Sequence, residues 1–224
     1  MKLLLFDIDG TLLTTNGLGR EAVEAALLAT QGRPISARRV SFSGKTDPQI
    51  FREILRAEVE DVALDAAVAA ALAAYQDEMH RRIGAAEVVM LPGVRPLLDR
   101  LATAEATLGL LTGNLRPMAY LKLGRLGLDG FFPFGAFGCD DEDRNGLPEV
   151  AVARAEAHTG RRYAGREVVV IGDTPRDVAC GRAAGAFTVA VATGRYGRDD
   201  LAAHRPDLLL DTLEEAERLL EVVL

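Results

Sequence analysis

Short apolar runs alternate with helical patterns over most of the chain, and this alternation limits the possible folds more than any other feature. Strands are predicted at 2–6, 107–111, 131–137, 168–171, 188–192 and 208–210, and helices at 94–103, 117–125, 148–159, 175–184 and 213–222. Strands that are apolar throughout and are separated by helices are typical of a parallel sheet covered on both faces. The pattern therefore predicts an α/β fold with a doubly wound parallel sheet.

One long segment interrupts the alternation. Between residues 15 and 86 the sequence has only helical periodicity, over 20–30, 49–56 and the alanine-rich 61–83. A connection between two parallel strands rarely needs roughly 70 residues. We therefore expect residues 15–86 to form an inserted helical cap domain, and residues 1–14 and 87–224 to form the catalytic core domain.

Composition excludes several classes of protein. The formal net charge is −7, which does not favour a nucleic-acid or anionic membrane surface as partner. No apolar run approaches the ~20 residues of a membrane span, and the N-terminal run ends too early for a signal peptide. The two cysteines, Cys139 and Cys180, lie outside any CxxC or Cys/His cluster. We expect a cytoplasmic protein with reduced cysteines.

Two acidic motifs follow apolar strands at distant points of the chain. Residues 7–12 read Asp-Ile-Asp-Gly-Thr-Leu, and residues 172–177 read Gly-Asp-Thr-Pro-Arg-Asp. Because the carboxyl ends of parallel strands meet at one edge of the sheet, their carboxylates should converge there. That convergence is costly unless a cation lies among them. The sequence therefore predicts a Mg²⁺ site formed by Asp7, Asp9, Asp173 and Asp177.

The first acidic motif also has the spacing needed for catalysis. Asp7 and Asp9 are two residues apart, so in an extended segment they point to the same side. One carboxylate can attack phosphorus as a nucleophile, while the other donates a proton to the leaving oxygen and later accepts one from water. This pair predicts phosphoryl-transfer chemistry.

Further polar groups are expected at the same edge. Thr112, Gly113 and Asn114 follow the strand predicted at 107–111 and are suited to hydrogen bonding with phosphate oxygens. A positive group is still needed to offset the charge of the transferring phosphoryl group. Arg144 is the best placed by sequence, and Arg154 is the second candidate.

These motifs together resemble the haloacid dehalogenase-like hydrolase superfamily. The similarity rests on residues 7–12, on Thr112-Gly113-Asn114 and on Gly172-Asp173 through Asp177. The resemblance implies a Rossmann-like core, a phosphoaspartyl intermediate at Asp7 and an acid/base role for Asp9. It also implies that Mg²⁺ is held by the Asp7 carboxylate, the Asp9 backbone carbonyl and Asp173.

The inserted segment is similar to the helical cap of the phosphoglycolate phosphatase-like branch. Ser43-Gly44-Lys45-Thr46-Asp47 resembles a substrate-facing turn of that branch, which implies that Lys45 and Thr46 bind substrate. Only three of the 26 basic residues are lysines (Lys2, Lys45 and Lys122), which hints at a chemical reason for keeping them. The sequence departs from the family pattern at the third motif, where Arg144 replaces the usual lysine.

The leading functional prediction is a Mg²⁺-dependent phosphatase acting on a small phosphorylated metabolite, with phosphoglycolate as the first candidate. A sugar phosphomutase would use the same cap and nucleophile, so it remains an alternative. A phosphonate-cleaving enzyme with Lys45 as a Schiff base and a phospho-signalling receiver are less favoured, because the Asp pair suits oxygen leaving groups and a receiver lacks such an insertion. The sequence is compatible with a monomer or a homodimer.

Overall fold

The computed structural model describes residues 1–223 and confirms an α/β fold with a doubly wound parallel sheet. Six parallel strands lie in the order β5-β4-β1-β6-β7-β8, and a separate antiparallel pair is formed by β2 and β3. The strands are β1 (Lys2–Phe6), β2 (Leu13–Thr14), β3 (Val89–Met90), β4 (Ala106–Leu111), β5 (Gly135–Ala136), β6 (Val168–Gly172), β7 (Phe187–Val191) and β8 (Leu208–Leu210).

Nine α-helices accompany these strands over the described residues. They are α1 (Leu18–Gln31), α2 (Asp47–Leu55), α3 (Asp61–Arg82), α4 (Val94–Ala102), α5 (Arg116–Gly124), α6 (Leu147–Thr159), α7 (Pro175–Ala183), α8 (Arg198–Ala203) and α9 (Ala216–Val223). Pro117, Pro148 and Pro175 lie in the first turn of α5, α6 and α7, where a missing backbone N–H costs nothing.

The central strand β1 sets the position of the acidic motifs. Residues 3–6 are fully buried, as expected for a strand covered on both faces. β1 pairs in parallel with β4 on one side and β6 on the other, with Phe6 opposite Ile171. The Asp7 amide continues this pairing by donating to the Ile171 carbonyl at 2.9 Å. The two acidic motifs therefore leave the sheet side by side.

The inserted segment folds around a hydrophobic cluster of its own. Helices α1, α2 and α3 pack together, and Phe51 of α2 meets Tyr75 of α3 edge to face at a centroid distance of 5.7 Å. Leu115 and Met118, which follow β4, join this cluster from the sheet side. The chain leaves and returns to the sheet through the β2–β3 pair, which the sequence did not predict because each strand has only two residues. The division into cap and core at residues 14/15 and 86/87 remains a prediction.

Two sequence predictions were wrong in detail, and one helix was missed. The strand predicted at 131–137 is shortened to Gly135–Ala136, because a 3-10 turn covers Asp129–Phe131 and Pro133 cannot donate to a ladder. The helix predicted at 213–222 begins with a 3-10 turn and becomes α-helical only from Ala216. The short helix α8 was not predicted, since six residues give too little periodicity to recognise.

Within residues 1–223, every helix is too short or too polar to cross a lipid bilayer.

The two cysteines differ in exposure. Cys139 is exposed and Cys180 is buried, and both are free thiols. Burial raises the pKa of the Cys180 thiol to about 12, so this side chain behaves as a small apolar group of the core.

Candidate active site

Polar side chains follow three neighbouring strands at the carboxyl edge of the sheet. Asp7 follows β1, Thr112 follows β4 and Asp173 follows β6, and all three are buried. Gly10 turns the chain away from β1 with a φ of +88°, a conformation that a side chain disfavours. A Cβ atom at Gly10 would also overlap the Asp173 carboxylate. The two acidic motifs are therefore in direct contact.

Three carboxylates form a compact buried cluster at this edge. Asp7, Asp173 and Asp177 each offer an oxygen atom, and these atoms lie within 4.8 Å of one another. Burial raises the pKa of Asp7 to about 6, although Arg144 opposes the shift. Burial, Asp177 and Asp7 together raise the pKa of Asp173 well above its usual range. Oxygen donors this close, which resist ionisation on their own, fit a divalent cation such as Mg²⁺.

Arg144 offsets part of the negative charge of this cluster. Its Nη2 donates to Asp177 Oδ1 at 2.5 Å and lies 3.3 Å from Asp7 Oδ2. Burial would lower the pKa of Arg144, but Asp177 and Asp7 outweigh it and raise the pKa above its ordinary value. Arg154, the second candidate by sequence, instead pairs with Asp140 at 2.5 Å on a partly exposed surface. The structure thus brings Arg144 to the acidic cluster and leaves Arg154 outside it.

Asp177 also stabilises the start of helix α7. Its Oδ2 accepts hydrogen bonds from the Thr174 amide at 2.9 Å and the Thr174 hydroxyl at 2.7 Å. The Thr174 hydroxyl in turn accepts from the Asp177 amide at 3.3 Å. This reciprocal arrangement is a capping box. The same carboxylate therefore fixes the second acidic motif and contributes an oxygen to the cluster.

Asp9 faces a lysine that the sequence analysis did not assign to the site. Lys122 Nζ donates to Asp9 Oδ1 at 2.9 Å and Oδ2 at 2.7 Å, and to Asn114 Oδ1 at 2.6 Å. Lys122 lies on α5, eight residues beyond Asn114, and its side chain is only 4% exposed. Its scarcity as one of three lysines was the only sequence signal that could have pointed to it.

The turn after β4 borders both the acidic cluster and the inserted segment. Asn114 Nδ2 donates to Thr112 Oγ1 and to Asp9 Oδ2, each at 2.8 Å. Gly113 allows the segment that contains Lys45 to approach closely, because a Cβ there would overlap the Lys45 carbonyl. Of the three predicted residues in this turn, Asn114 contacts Asp9, Thr112 holds Asn114, and Gly113 makes room for the insertion.

The segment 43–47 holds the inserted helices against the sheet edge. The Thr46 hydroxyl caps α2 by accepting from the Gln49 amide at 3.3 Å and donates to the Glu142 carbonyl at 2.8 Å. Arg52 binds both oxygens of Glu142 at 2.8 and 2.9 Å. Because Thr46 is fully buried in these contacts, its geometry fits a structural link better than the substrate contact that the sequence suggested. The acidic run 140–143 takes part in this link through Glu142.

A cavity of about 480 Å³ lies between the inserted helices and the sheet edge. Its wall includes Asp7, Asp9 and Thr112 on the sheet side, and apolar side chains such as Ile50 and Tyr75 on the other. Lys45 also lines it and pairs with Glu53. Such a mixture of apolar walls and a few convergent charges is typical of a small-molecule site.

Arg20 contributes a second cation to the wall on the insertion side. Its guanidinium lies 4.0 Å from the centroid of the Phe42 ring, and it donates to the carbonyls of Ala37 and Val40. Lys45 and Lys122 also line the cavity, but they are paired with Glu53 and Asp9 respectively. Arg20 has no carboxylate partner among the described residues, so it is a cation that can attract an anionic ligand to this cavity.

Asp47, the first residue of helix α2, predicts a change of stability with pH. Its Oδ2 accepts from the Leu115 amide at 2.8 Å, and burial raises its pKa to about 6, with Lys122 opposing the shift and Asp9 adding to it. The folded state therefore holds this proton more tightly than the unfolded chain, and ionisation above pH ~6 costs stability. We expect Asp47→Asn to gain free energy of unfolding relative to the parent as pH rises from 4 to 8, by up to roughly 3 kcal/mol.

Urea unfolding of both proteins at several pH values measures this difference. The asparagine can accept the same hydrogen bond at every pH, so the change with pH isolates the ionisation of Asp47. A free-energy difference that stays constant between pH 4 and 8 would contradict the prediction.

The family of the chain follows from comparison with known proteins. The family model described as haloacid dehalogenase-like hydrolase matches residues 4–191, which include all the strand-end residues described above. The chain belongs to the haloacid dehalogenase-like hydrolase family. It is therefore a hydrolase, as the sequence predicted.

Individual relatives are similar to nearly the whole chain. The pyrophosphatase PpaX of Listeria innocua is 26% identical over 219 residues, which cover 95% of this chain and 93% of the relative. The probable phosphatase IndB of Dickeya dadantii is 28% identical over 222 residues, covering 95% and 90%. The crystal structure of a predicted phosphatase from Clostridium acetobutylicum matches 98% of both chains with a TM-score of 0.77 at 17% identity.

Proposed function

We propose that this hydrolase is a Mg²⁺-dependent phosphatase that acts on a small phosphorylated metabolite through a phosphoaspartyl intermediate at Asp7. The observation that carries the proposal is the buried cluster of Asp7, Asp173 and Asp177 with Arg144 against it. Asp9, two residues after the nucleophile, faces the same cavity. Relatives named as phosphatases support the reaction class.

In the first half-reaction, an Asp7 carboxylate oxygen attacks the phosphorus of the bound ester. The bond between phosphorus and the ester oxygen breaks, and Asp9 gives its proton to the departing oxygen. Arg144 offsets the charge that accumulates on the phosphoryl oxygens. Its buried Nε has no hydrogen-bond partner among the described residues, so this arginine keeps an unused donor. The Thr112 hydroxyl borders the same cavity and can donate to a phosphoryl oxygen.

In the second half-reaction, water attacks the phosphorus of the phosphoaspartate. Asp9 accepts the proton of this water, the bond between phosphorus and the Asp7 oxygen breaks, and inorganic phosphate leaves. The cycle returns Asp7 as a carboxylate and Asp9 in its protonated form. The inserted helices would exclude other water from the cavity between the two steps.

The residues that would hold the metal are Asp7, Asp173 and the backbone carbonyl of Asp9, with Asp177 beside them. The raised pKa values of Asp7 and Asp173 fit this role, since a cation supplies the charge that burial withholds. When bound, Mg²⁺ would neutralise charge on the phosphoryl group and allow an anionic nucleophile to approach it.

A phosphate-release assay tests the proposal. The purified protein is incubated with Mg²⁺ and with phosphoglycolate, pyrophosphate, sugar phosphates and nucleotides in turn, beside an Asp7→Asn control. We expect release of phosphate from at least one of these, dependent on both Mg²⁺ and Asp7. Conversion of a hexose 1-phosphate into its isomer, with little free phosphate, would instead identify a mutase. No turnover of any of them by the parent protein would contradict the proposal.

Lys45 would favour a substrate that carries a second anionic group. Its side chain is 10% exposed, lines the cavity and is paired with Glu53, so a ligand carboxylate or phosphate could take the place of Glu53. Phosphoglycolate and pyrophosphate both have such a group, and both suit this feature. We therefore expect the protein to favour substrates with a second anionic group over simple phosphate esters.

The corresponding prediction concerns Lys45→Ala. We expect it to raise KM for phosphoglycolate or pyrophosphate by roughly tenfold or more, since a charged hydrogen bond contributes about 1.5–3 kcal/mol. KM for phenyl phosphate, which lacks a second anion, should change by less than about twofold. Steady-state kinetics on both substrates measures the contrast, and equal changes in KM would exclude Lys45 as an anchor for the second anion.

A further inference from the structure

The ion pair between Lys122 and Asp9 is the part of the site that the proposed mechanism leaves unexplained. We propose that Lys122 is a positioning residue, which fixes the Asp9 carboxylate in the orientation needed for proton transfer to the leaving group. The inference rests on the proposed phosphatase function and adds to it a residue outside the recognised motifs.

The geometry leaves the Asp9 side chain little freedom. Lys122 Nζ contacts both carboxylate oxygens, and Asn114 Nδ2 donates to Oδ2. Lys122 is held in turn by Asn114 Oδ1 at 2.6 Å. Three hydrogen bonds from two buried side chains therefore fix the plane of a carboxylate that would otherwise turn about two bonds.

The two Asp9 oxygens are not equivalent in this arrangement. Oδ2 accepts from both Lys122 and Asn114, whereas Oδ1 accepts from Lys122 alone. The side chain of Asp9 is 41% exposed and that of Lys122 only 4%, so the carboxylate opens to the cavity and the ammonium group is behind it. Oδ1 is therefore the oxygen that remains available to carry the transferred proton.

Asp9 is not one of the carboxylates of the buried acidic cluster. The three carboxylates whose oxygens lie within 4.8 Å of one another are Asp7, Asp173 and Asp177. The Asp9 side chain is paired instead with Lys122 of α5, the helix that begins after β4.

A structural role and a positioning role for Lys122 predict different effects of its replacement on esters with different leaving groups. Phenolate needs a proton as it departs, whereas 2,4-dinitrophenolate is stable enough to leave without one. The ratio kcat/KM covers the steps up to departure of the leaving group, so it reports on proton donation and not on later hydrolysis. Comparing phenyl phosphate with 2,4-dinitrophenyl phosphate therefore isolates the contribution of Asp9 as an acid.

The test compares Lys122→Met, Asp9→Asn and the double variant, with Lys2→Met as a control for loss of a lysine far from the cavity. We expect Lys122→Met to lower kcat/KM for phenyl phosphate by about tenfold or more and for the dinitrophenyl ester by less than about twofold. In the Asp9→Asn background, the same change should have little further effect, because Lys122 acts through Asp9. Lys2→Met should behave as the parent protein does.

Several results would overturn the inference. These are an equal loss on both esters, a full additional loss in the Asp9→Asn background, or no loss at all. If Lys122→Met does not fold, Lys122→Gln is used instead. Because glutamine keeps one donor for Asp9, a smaller loss is then expected, still larger for phenyl phosphate than for the dinitrophenyl ester. If the parent protein hydrolyses neither ester nor any substrate of the phosphate-release assay, the proposed function fails and the inference fails with it. Parent activity with an equal loss on both esters contradicts the role of Lys122 alone.

Discussion

Asp7→Asn should abolish turnover while leaving the fold intact. The amide has nearly the same shape as the carboxylate but cannot attack phosphorus, so we expect kcat to fall by about 10⁴-fold or more. The replacement also removes one charge from a buried acidic cluster in which burial raises the pKa of Asp7 to about 6. The variant should therefore be at least as stable as the parent protein when no metal is present.

Two measurements check this prediction together. Phosphate release under saturating substrate gives kcat, and thermal unfolding with and without Mg²⁺ gives the change in stability. Asp65→Asn is a suitable control, because Asp65 is largely exposed on helix α3 and its one ion pair among the described residues is with Arg52 at 2.7 Å. An Asp7→Asn variant that turned over at a rate near that of the parent would contradict the role of Asp7.

Removing Arg144 should have the second largest effect, and it should reduce both stability and activity. Its side chain is 4% exposed and lies between Asp177 and Asp7. Removing one partner of a buried ion pair leaves the other charge buried without compensation, which lowers the free energy of unfolding by about 3–5 kcal/mol. We expect Arg144→Met to lose this much free energy of unfolding in the absence of metal. We also expect kcat to fall by roughly 10²–10³-fold, as for loss of one electrostatic contact to the transition state.

Arg154→Met is the matched control for this prediction. Arg154 was the second candidate by sequence, but it pairs with Asp140 where its side chain is 41% exposed. Its removal should cost no more than about 1 kcal/mol and should change kcat by less than about twofold. Chemical denaturation and steady-state kinetics on both variants provide the comparison. Similar losses for the two arginines would show that the position of Arg144 beside Asp7 has no special importance.

The sheet could be predicted from sequence because its strands are apolar throughout. Residues 3–6 and 168–171 have no polar side chains, so they can only be buried between two layers. Their polar neighbours then had to meet at one edge, which is why Asp7 and Asp173 were expected to lie close together. Strands of two residues, such as β2 and β3, have no such pattern and depend on the contacts of the folded chain.

The contacts of the inserted helices could not be predicted from the sequence. Thr46 looked like a substrate residue because of its neighbours, but its hydroxyl is used by the Gln49 amide and the Glu142 carbonyl. Glu142 lies 96 residues further along the chain, and no local pattern reports a contact of that separation. Lys122 was missed for the same reason, since its partner Asp9 lies 113 residues away. Local periodicity predicts elements, and only the folded structure pairs distant side chains.

The most direct test of the account is to identify the carboxylate that is phosphorylated during turnover. Enzyme quenched with acid during steady-state hydrolysis is reduced with borohydride, which converts a phosphoaspartate into homoserine. The tryptic peptide spanning residues 3–20, which contains both Asp7 and Asp9, is then sequenced by mass spectrometry. The account predicts homoserine at position 7, only when substrate and Mg²⁺ are both present. Homoserine at another aspartate would contradict it. So would the absence of homoserine under conditions in which phosphate is released and the intermediate should accumulate.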